Sequence, residues 1–174
     1  MTSLFDARPI VVAVAGPNGA GKSTFHAVHL QPAGLRFVNA DEVGRELGVG
    51  AYEAAEAAAR IRLALLEQRE SFVFETVFSD PVGDKLAFLL RAEKAGYAVV
   101  LCFVGLEGPE QSEERYPRTM GNLRKAIREL PHVRVFDNGD LARPFRKVAA
   151  FERGRIVERH PPLPRWMPGQ RPRR

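Results

Sequence analysis

The 174-residue sequence contains one cysteine, Cys102, so no disulfide can form within a single chain. Cys102 lies inside the apolar run 98–104, where a buried core thiol is expected rather than a nucleophile. No apolar stretch approaches the ~20 residues that cross a bilayer as a helix. Nothing near the N-terminus has the charged-then-apolar pattern of a signal peptide. These absences predict a cytoplasmic protein with no membrane contact. Internal repeats are missing too, and the length suits one domain, expected over 1–161, with a tail at 162–174. The net charge is +5, but the basic residues are not interleaved with aromatic ones, so a nucleic-acid partner is not indicated. Much of the excess sits in Arg165, Arg171, Arg173 and Arg174, spaced by Pro162, Pro164, Pro168 and Pro172. That composition predicts an extended end.

What the sequence does have is concentrated between Gly16 and Ser23, which read Gly-Pro-Asn-Gly-Ala-Gly-Lys-Ser. The run before it, residues 9–15, is continuously apolar and β-branched, as in a strand buried on both faces of a parallel sheet. The spacing of Gly, four residues, then Gly-Lys-Ser is the complete phosphate-binding P-loop pattern. Glycines at 16, 19 and 21 let consecutive N–H groups turn toward phosphate oxygens, and a helix N-terminus adds its positive dipole end. Gly16, Pro17, Asn18, Gly19, Ala20, Gly21, Lys22, Ser23 and Thr24 are therefore the expected ATP site. Lys22 would reach the β- and γ-phosphates, and the Ser23 hydroxyl would hold Mg²⁺.

Downstream, residues 35–38 suggest a short strand with Asn39 and Asp41 at its carboxyl end, where open α/β sheets place their ligand crevice. An acid there can take a proton from an attacking hydroxyl; equally, Asp41 suits the cap of a helix starting near Glu42. Residues 51–70 read as an Ala-rich helix with Ala55, Ala58, Ala59, Ile61, Leu65 and Leu66 at its apolar positions. A strand over 71–76 ends in Glu75 and Thr76. A carboxylate there either binds sugar or nucleoside hydroxyls, or orders magnesium-bound water, or is a plain strand-end acid. A helix over 84–94 closed by Gly96, then a very apolar and central strand over 98–104, continue the alternation. The pattern predicts a three-layer α/β/α fold with a mainly parallel sheet.

Residues 107–130 carry Arg115, Arg118, Arg124 and Arg128. Phosphoryl-transfer enzymes use arginines from such segments to neutralise charge on the transferred group, because the planar fork bonds phosphate oxygens bidentately. For Arg124 and Arg128 a solvated helix face, with Leu123, Ile127 and Leu130 turned inward, is the preferred reading. A strand over 133–138 and a hairpin of 145–151 with 155–158, turning at Arg153-Gly154, complete the chain.

With these pieces assembled, the sequence resembles the zeta-toxin family of P-loop kinases. The resemblance rests on residues 15–24, on Asn39-Ala40-Asp41-Glu42, on Phe74-Glu75-Thr76, on Gly96-Tyr97, on Arg115-Tyr116-Pro117-Arg118 and on Phe136-Asp137-Asn138. It implies a kinase acting on small molecules, with ATP and Mg²⁺ as cofactors. The family's best-known acceptor is UDP-N-acetylglucosamine, phosphorylated on its 3′ hydroxyl, and toxic members pair with an antitoxin protein. By position, Lys22 would bind phosphate and Asp41 would be the general base. Asn39, Glu75 and Thr76 would lie against the acceptor, and Arg115, with Arg118 beside it, would contact the transferred phosphate from a lid at about 107–125. The family pattern has roughly two dozen more residues before Arg115, the size of a mobile lid, including another arginine. Here Gln111-Ser112 runs straight into Glu113-Glu114, so either the protein dispenses with that stretch or the sequence omits it. A non-toxic metabolite kinase, a polynucleotide kinase and a nucleotide-binding protein without transferase activity stay open as alternatives.

Overall fold

In the computed structural model, which describes residues 4–107 and 115–168, the strand before the P-loop is β1, Ile10–Ala15. All six of its side chains are buried, as only a strand covered on both faces can be. β1 pairs in parallel with β3, Phe72–Thr76, and with β4, Ala98–Gly105. β2, Arg36–Val38, joins β3, and β5, His132–Asp137, joins β4, also in parallel. β6, Arg146–Glu152, and β7, Arg155–Arg159, add an antiparallel hairpin. The seven strands run in the order β2-β3-β1-β4-β5-β6-β7, which puts the apolar β4 at the centre as its composition predicts.

Period-2 alternation sorts β1 between two cores. Val11, Ala13 and Ala15 face one cluster, formed with α3 (Ala51–Glu67), α4 (Asp84–Lys94) and α5 (Arg115–Glu129). Ile10, Val12 and Val14 face the other, with Phe25, Leu30 and Cys102. Each fully buried leucine such as Leu89, Leu101 or Leu123 contributes about 1.5–3 kcal/mol. Three layers result, matching the predicted architecture.

Local details differ from the sequence reading. The helix whose N-terminus was expected at the P-loop is α1, Lys22–Phe25, followed by a π turn at His26–Leu30 and a 3₁₀ turn at Gln31–Ala33. The Gln31 N–H bonds His26 O, five residues back. This wider winding presents Phe25 to Phe136 and Phe145, with ring centroids 4.7 and 5.5 Å away, and stacks His26 on Phe37 at 3.7 Å. α3 stops at Glu67, and Arg69 just beyond takes a positive φ. Its buried alanines are Ala54 and Ala58; Ala55 is exposed, because small residues on every face hide the apolar stripe from the sequence.

The chain end also departs from expectation. Residues 162–168 are not a free extension: Met167 is buried, and the Trp166 ring sits 6.0 Å from Phe103. The indole Nε1 donates to Asp137 Oδ1 at 3.0 Å. Gly105 makes room for it, since a Cβ there would meet the ring at 2.2 Å. Apolar burial and one hydrogen bond override a proline-rich composition. Arg171, Arg173 and Arg174, and the join between Ser112 and Glu113, lie outside the described residues.

Candidate active site

The P-loop leaves β1 at Gly16, whose φ of +149° and contact with β4 admit no side chain: a Cβ would lie 2.1 Å from Val104 O. At the other end Gly21, with φ of +84°, abuts Asn138, leaving only 2.8 Å between a hypothetical Cβ and Nδ2. Asn138 ties the loop down. Its Nδ2 donates to Ala20 O at 3.0 Å, and its Oδ1 accepts from the Phe145 N–H at 3.3 Å. The sequence offered this residue as the end of a strand and as part of the Phe136-Asp137-Asn138 segment, but not its contact with the loop, because its partner lies 118 positions away.

Lys22 opens α1 and is buried. Its Nζ donates to Pro17 O at 3.1 Å and stands 3.7 Å from Glu75 Oε1. Burial lowers the ammonium pKa below its ordinary value, opposed by the carboxylate of Glu75 and, more weakly, of Asp41. Glu75 Oε2 accepts from Ser23 Oγ at 2.8 Å and from Asn39 Nδ2 at 3.1 Å. The strand-end acid therefore gathers Lys22, Ser23 and Asn39 around one carboxylate.

Asn39 has a second task. Its Oδ1 accepts from the N–H groups of Asp41, at 2.8 Å, and Glu42, at 3.4 Å, capping α2, Ala40–Leu47. The cap is thus Asn39 and not Asp41, which sits in the first helical turn with its carboxylate free of capping duty. Asn18, Gly19, Gly21, Lys22, Ser23 and Thr24 line a cleft of about 760 Å³ together with Asn39, Asp41, Glu75, Thr76 and Arg115. Gly16 and Ala20 are buried beneath it, and Pro17 contributes the carbonyl that holds Lys22. Arg118 is not on its wall. Arg124 and Arg128 are exposed on α5 while Leu123 and Leu130 are buried, the arrangement preferred from sequence.

Among the described residues, no cluster of three His, Cys, Asp or Glu side chains is arranged for a metal. The donor set fits magnesium held mainly by phosphate oxygens and water, with Ser23 as protein ligand and the Glu75 carboxylate beside it. Also among the described residues, no helix is long and apolar enough to cross a membrane.

No family model and no curated protein matches the sequence. Solved structures do. A chain of the AvrRxo1-ORF1:-ORF2 complex with ATP superposes with a TM-score of 0.62 at 16% identity, over 86% of this chain and 60% of that one. The PezAT chromosomal toxin-antitoxin system of Streptococcus pneumoniae gives 0.55 at 15% identity, over 75% and 68%. The fold is that of the zeta-toxin-like P-loop kinases. The chain spans about 60% of the length of the AvrRxo1 chain it matches. Within this P-loop kinase fold, the cleft lies at the carboxyl ends of β1 and β3, where α/β sheets open to ligands.

Proposed function

We propose that this chain is an ATP-dependent phosphotransferase that moves a γ-phosphoryl group to an alcohol of a small molecule. UDP-N-acetylglucosamine is the first acceptor to test, and an antitoxin protein the first partner. The observation that carries the reading is the placement of Asp41, Glu75 and Arg115 on one cleft with the phosphate-binding residues of a complete P-loop. The AvrRxo1 complex with ATP and the PezAT toxin-antitoxin system support it by likeness of fold.

In this reading the P-loop N–H groups and Lys22 hold the phosphates, and Lys22 exchanges its contact with Glu75 for phosphate oxygens. Bound magnesium would supply charge neutralisation between the β- and γ-phosphates. Asp41 accepts the proton of the acceptor hydroxyl as its oxygen bonds the γ-phosphorus and the bond to the bridging oxygen breaks, releasing ADP. Arg115 stabilises the charge spread over the transferred group, and Arg118 supports it from the following turn. Glu75, Thr76 and Asn39 position the acceptor. The test is transfer of labelled γ-phosphate to a panel of nucleotide sugars and other alcohols, compared between the protein and its Asp41→Ala variant.

A further inference from the structure

The P-loop is braced at both ends by the carboxyl ends of β4 and β5. It starts where Gly16 abuts Val104 O, and it ends where Gly21 abuts Asn138, one residue past β5. Trp166 touches the chain neighbour of each brace. Its ring covers Gly105, next to Val104, and its Nε1–H donates to Asp137, next to Asn138. The two braces are also joined to each other, since the Asn138 N–H donates to Gly105 O at 2.9 Å.

The segment carrying Trp166 is fastened by more than that ring. Arg146, on β6, donates from Nη1 to His160 O at 3.2 Å and from Nη2 to Pro162 O at 2.9 Å. The same Nη2 stands 3.5 Å from Asp137 Oδ2. Leu163 and Met167 pack into the core. Asp137 is thus held from two sides, by the indole and by Arg146, immediately before the residue that bonds Ala20 O in the P-loop.

A phosphate cradle built from backbone N–H groups has no side-chain rotamers with which to correct a shift, so its aim depends on what supports the loop. We propose that Trp166 is a positioning residue of the nucleotide site, whose indole N–H acts through Asp137 and Asn138 to hold the P-loop in its phosphate-binding form. The proposal rests on nucleotide binding by the P-loop and does not require transfer. Docking of Trp166 and binding of nucleotide then favour each other by the same factor.

The test is calorimetric titration of AMP-PNP with Mg²⁺ into the wild type, Trp166→Phe, Asn138→Ala and the double variant. Trp166→Phe keeps an aromatic ring over Gly105 and removes the donor to Asp137. Affinity is expected to fall at least fivefold in Trp166→Phe. Adding Trp166→Phe to Asn138→Ala should cost less than a further twofold, because the route is already cut. A residue that only stabilises the fold would not show that dependence. Unchanged affinity in Trp166→Phe, or losses that multiply in the double variant, would overturn the proposal.

The wild type carries a second reading if a variant unfolds. Trp166 is the only tryptophan, so its indole N–H gives one resonance. Saturating AMP-PNP is expected to slow hydrogen exchange of that N–H at least threefold; an unchanged rate would overturn the proposal. Absence of any binding heat would contradict the nucleotide site and the positioning role with it. Binding without transfer to any acceptor would contradict the phosphotransferase reading alone.

Discussion

Ser23 and Glu75, 52 residues apart, are joined by a 2.8 Å hydrogen bond in which the hydroxyl donates to Oε2. The same carboxylate faces Lys22 and Asn39. The groups that would meet phosphate and metal in the proposed reaction are thus held together by an acid from the neighbouring strand. In that reaction, nucleotide binding exchanges the Lys22 contact with Glu75 for phosphate oxygens.

Glu75→Gln tests that arrangement. The amide keeps the shape but removes the charge that competes for Lys22. Nucleotide affinity is expected to stay the same or tighten, while transfer falls about 10²-fold through lost positioning of the acceptor. Fluorescent-nucleotide titration and a transfer assay read the two effects separately. Weakened nucleotide binding with unchanged turnover would contradict this role.

Gly16→Ala tests the junction of loop and sheet. The added methyl would meet Val104 O, and pairing of Ala15 with Phe103 leaves the backbone little freedom to yield. A loss of about 1–3 kcal/mol in stability is expected, together with loss of nucleotide binding. Thermal unfolding with and without ATP measures both.

Trp166→Ala removes the anchor of the chain end. A stability loss of about 1–3 kcal/mol is expected in urea unfolding for this partly buried ring, whereas Leu141→Ala, at a side chain 96% exposed, should change stability by no more than about 0.5 kcal/mol. Equal, small effects would show that residues 162–168 are not part of the packed domain.

Cys102 is fully buried, and burial pushes its thiol up to about 12. At pH 8 the thiol is therefore neutral and shielded, and iodoacetamide should not label the folded protein while labelling it fully in denaturant. Labelling of the native protein at the rate of a free thiol would contradict its place in the core.

These contacts explain what could be read from the sequence. β1, the P-loop and the alternation of strand and helix are written in local spacing, and they appear as expected. The inward side of the Ala-rich α3 is not, because alanine suits any face. Asp41 suited the helix cap from sequence, but the backbone gives that place to Asn39, which is extended, at φ −126° and ψ 126°, and bonds forward. Asn138 acts through a distant partner, Ala20, which no local pattern encodes. The docking of Trp166 on Asp137 was hidden by prolines that suggested an extended end.

The central claim is phosphoryl transfer from ATP by the residues of this cleft. Its most direct test is transfer of labelled γ-phosphate from ATP to UDP-N-acetylglucosamine and a panel of other phosphorylated and neutral alcohols, by the wild type, Lys22→Ala and Asp41→Ala. The account predicts a phosphorylated product with the wild type, loss of nucleotide binding in Lys22→Ala, and retained binding with transfer reduced by about 10²–10⁴ in Asp41→Ala. ATP binding with no product from any acceptor, or undiminished transfer by Asp41→Ala, would contradict it.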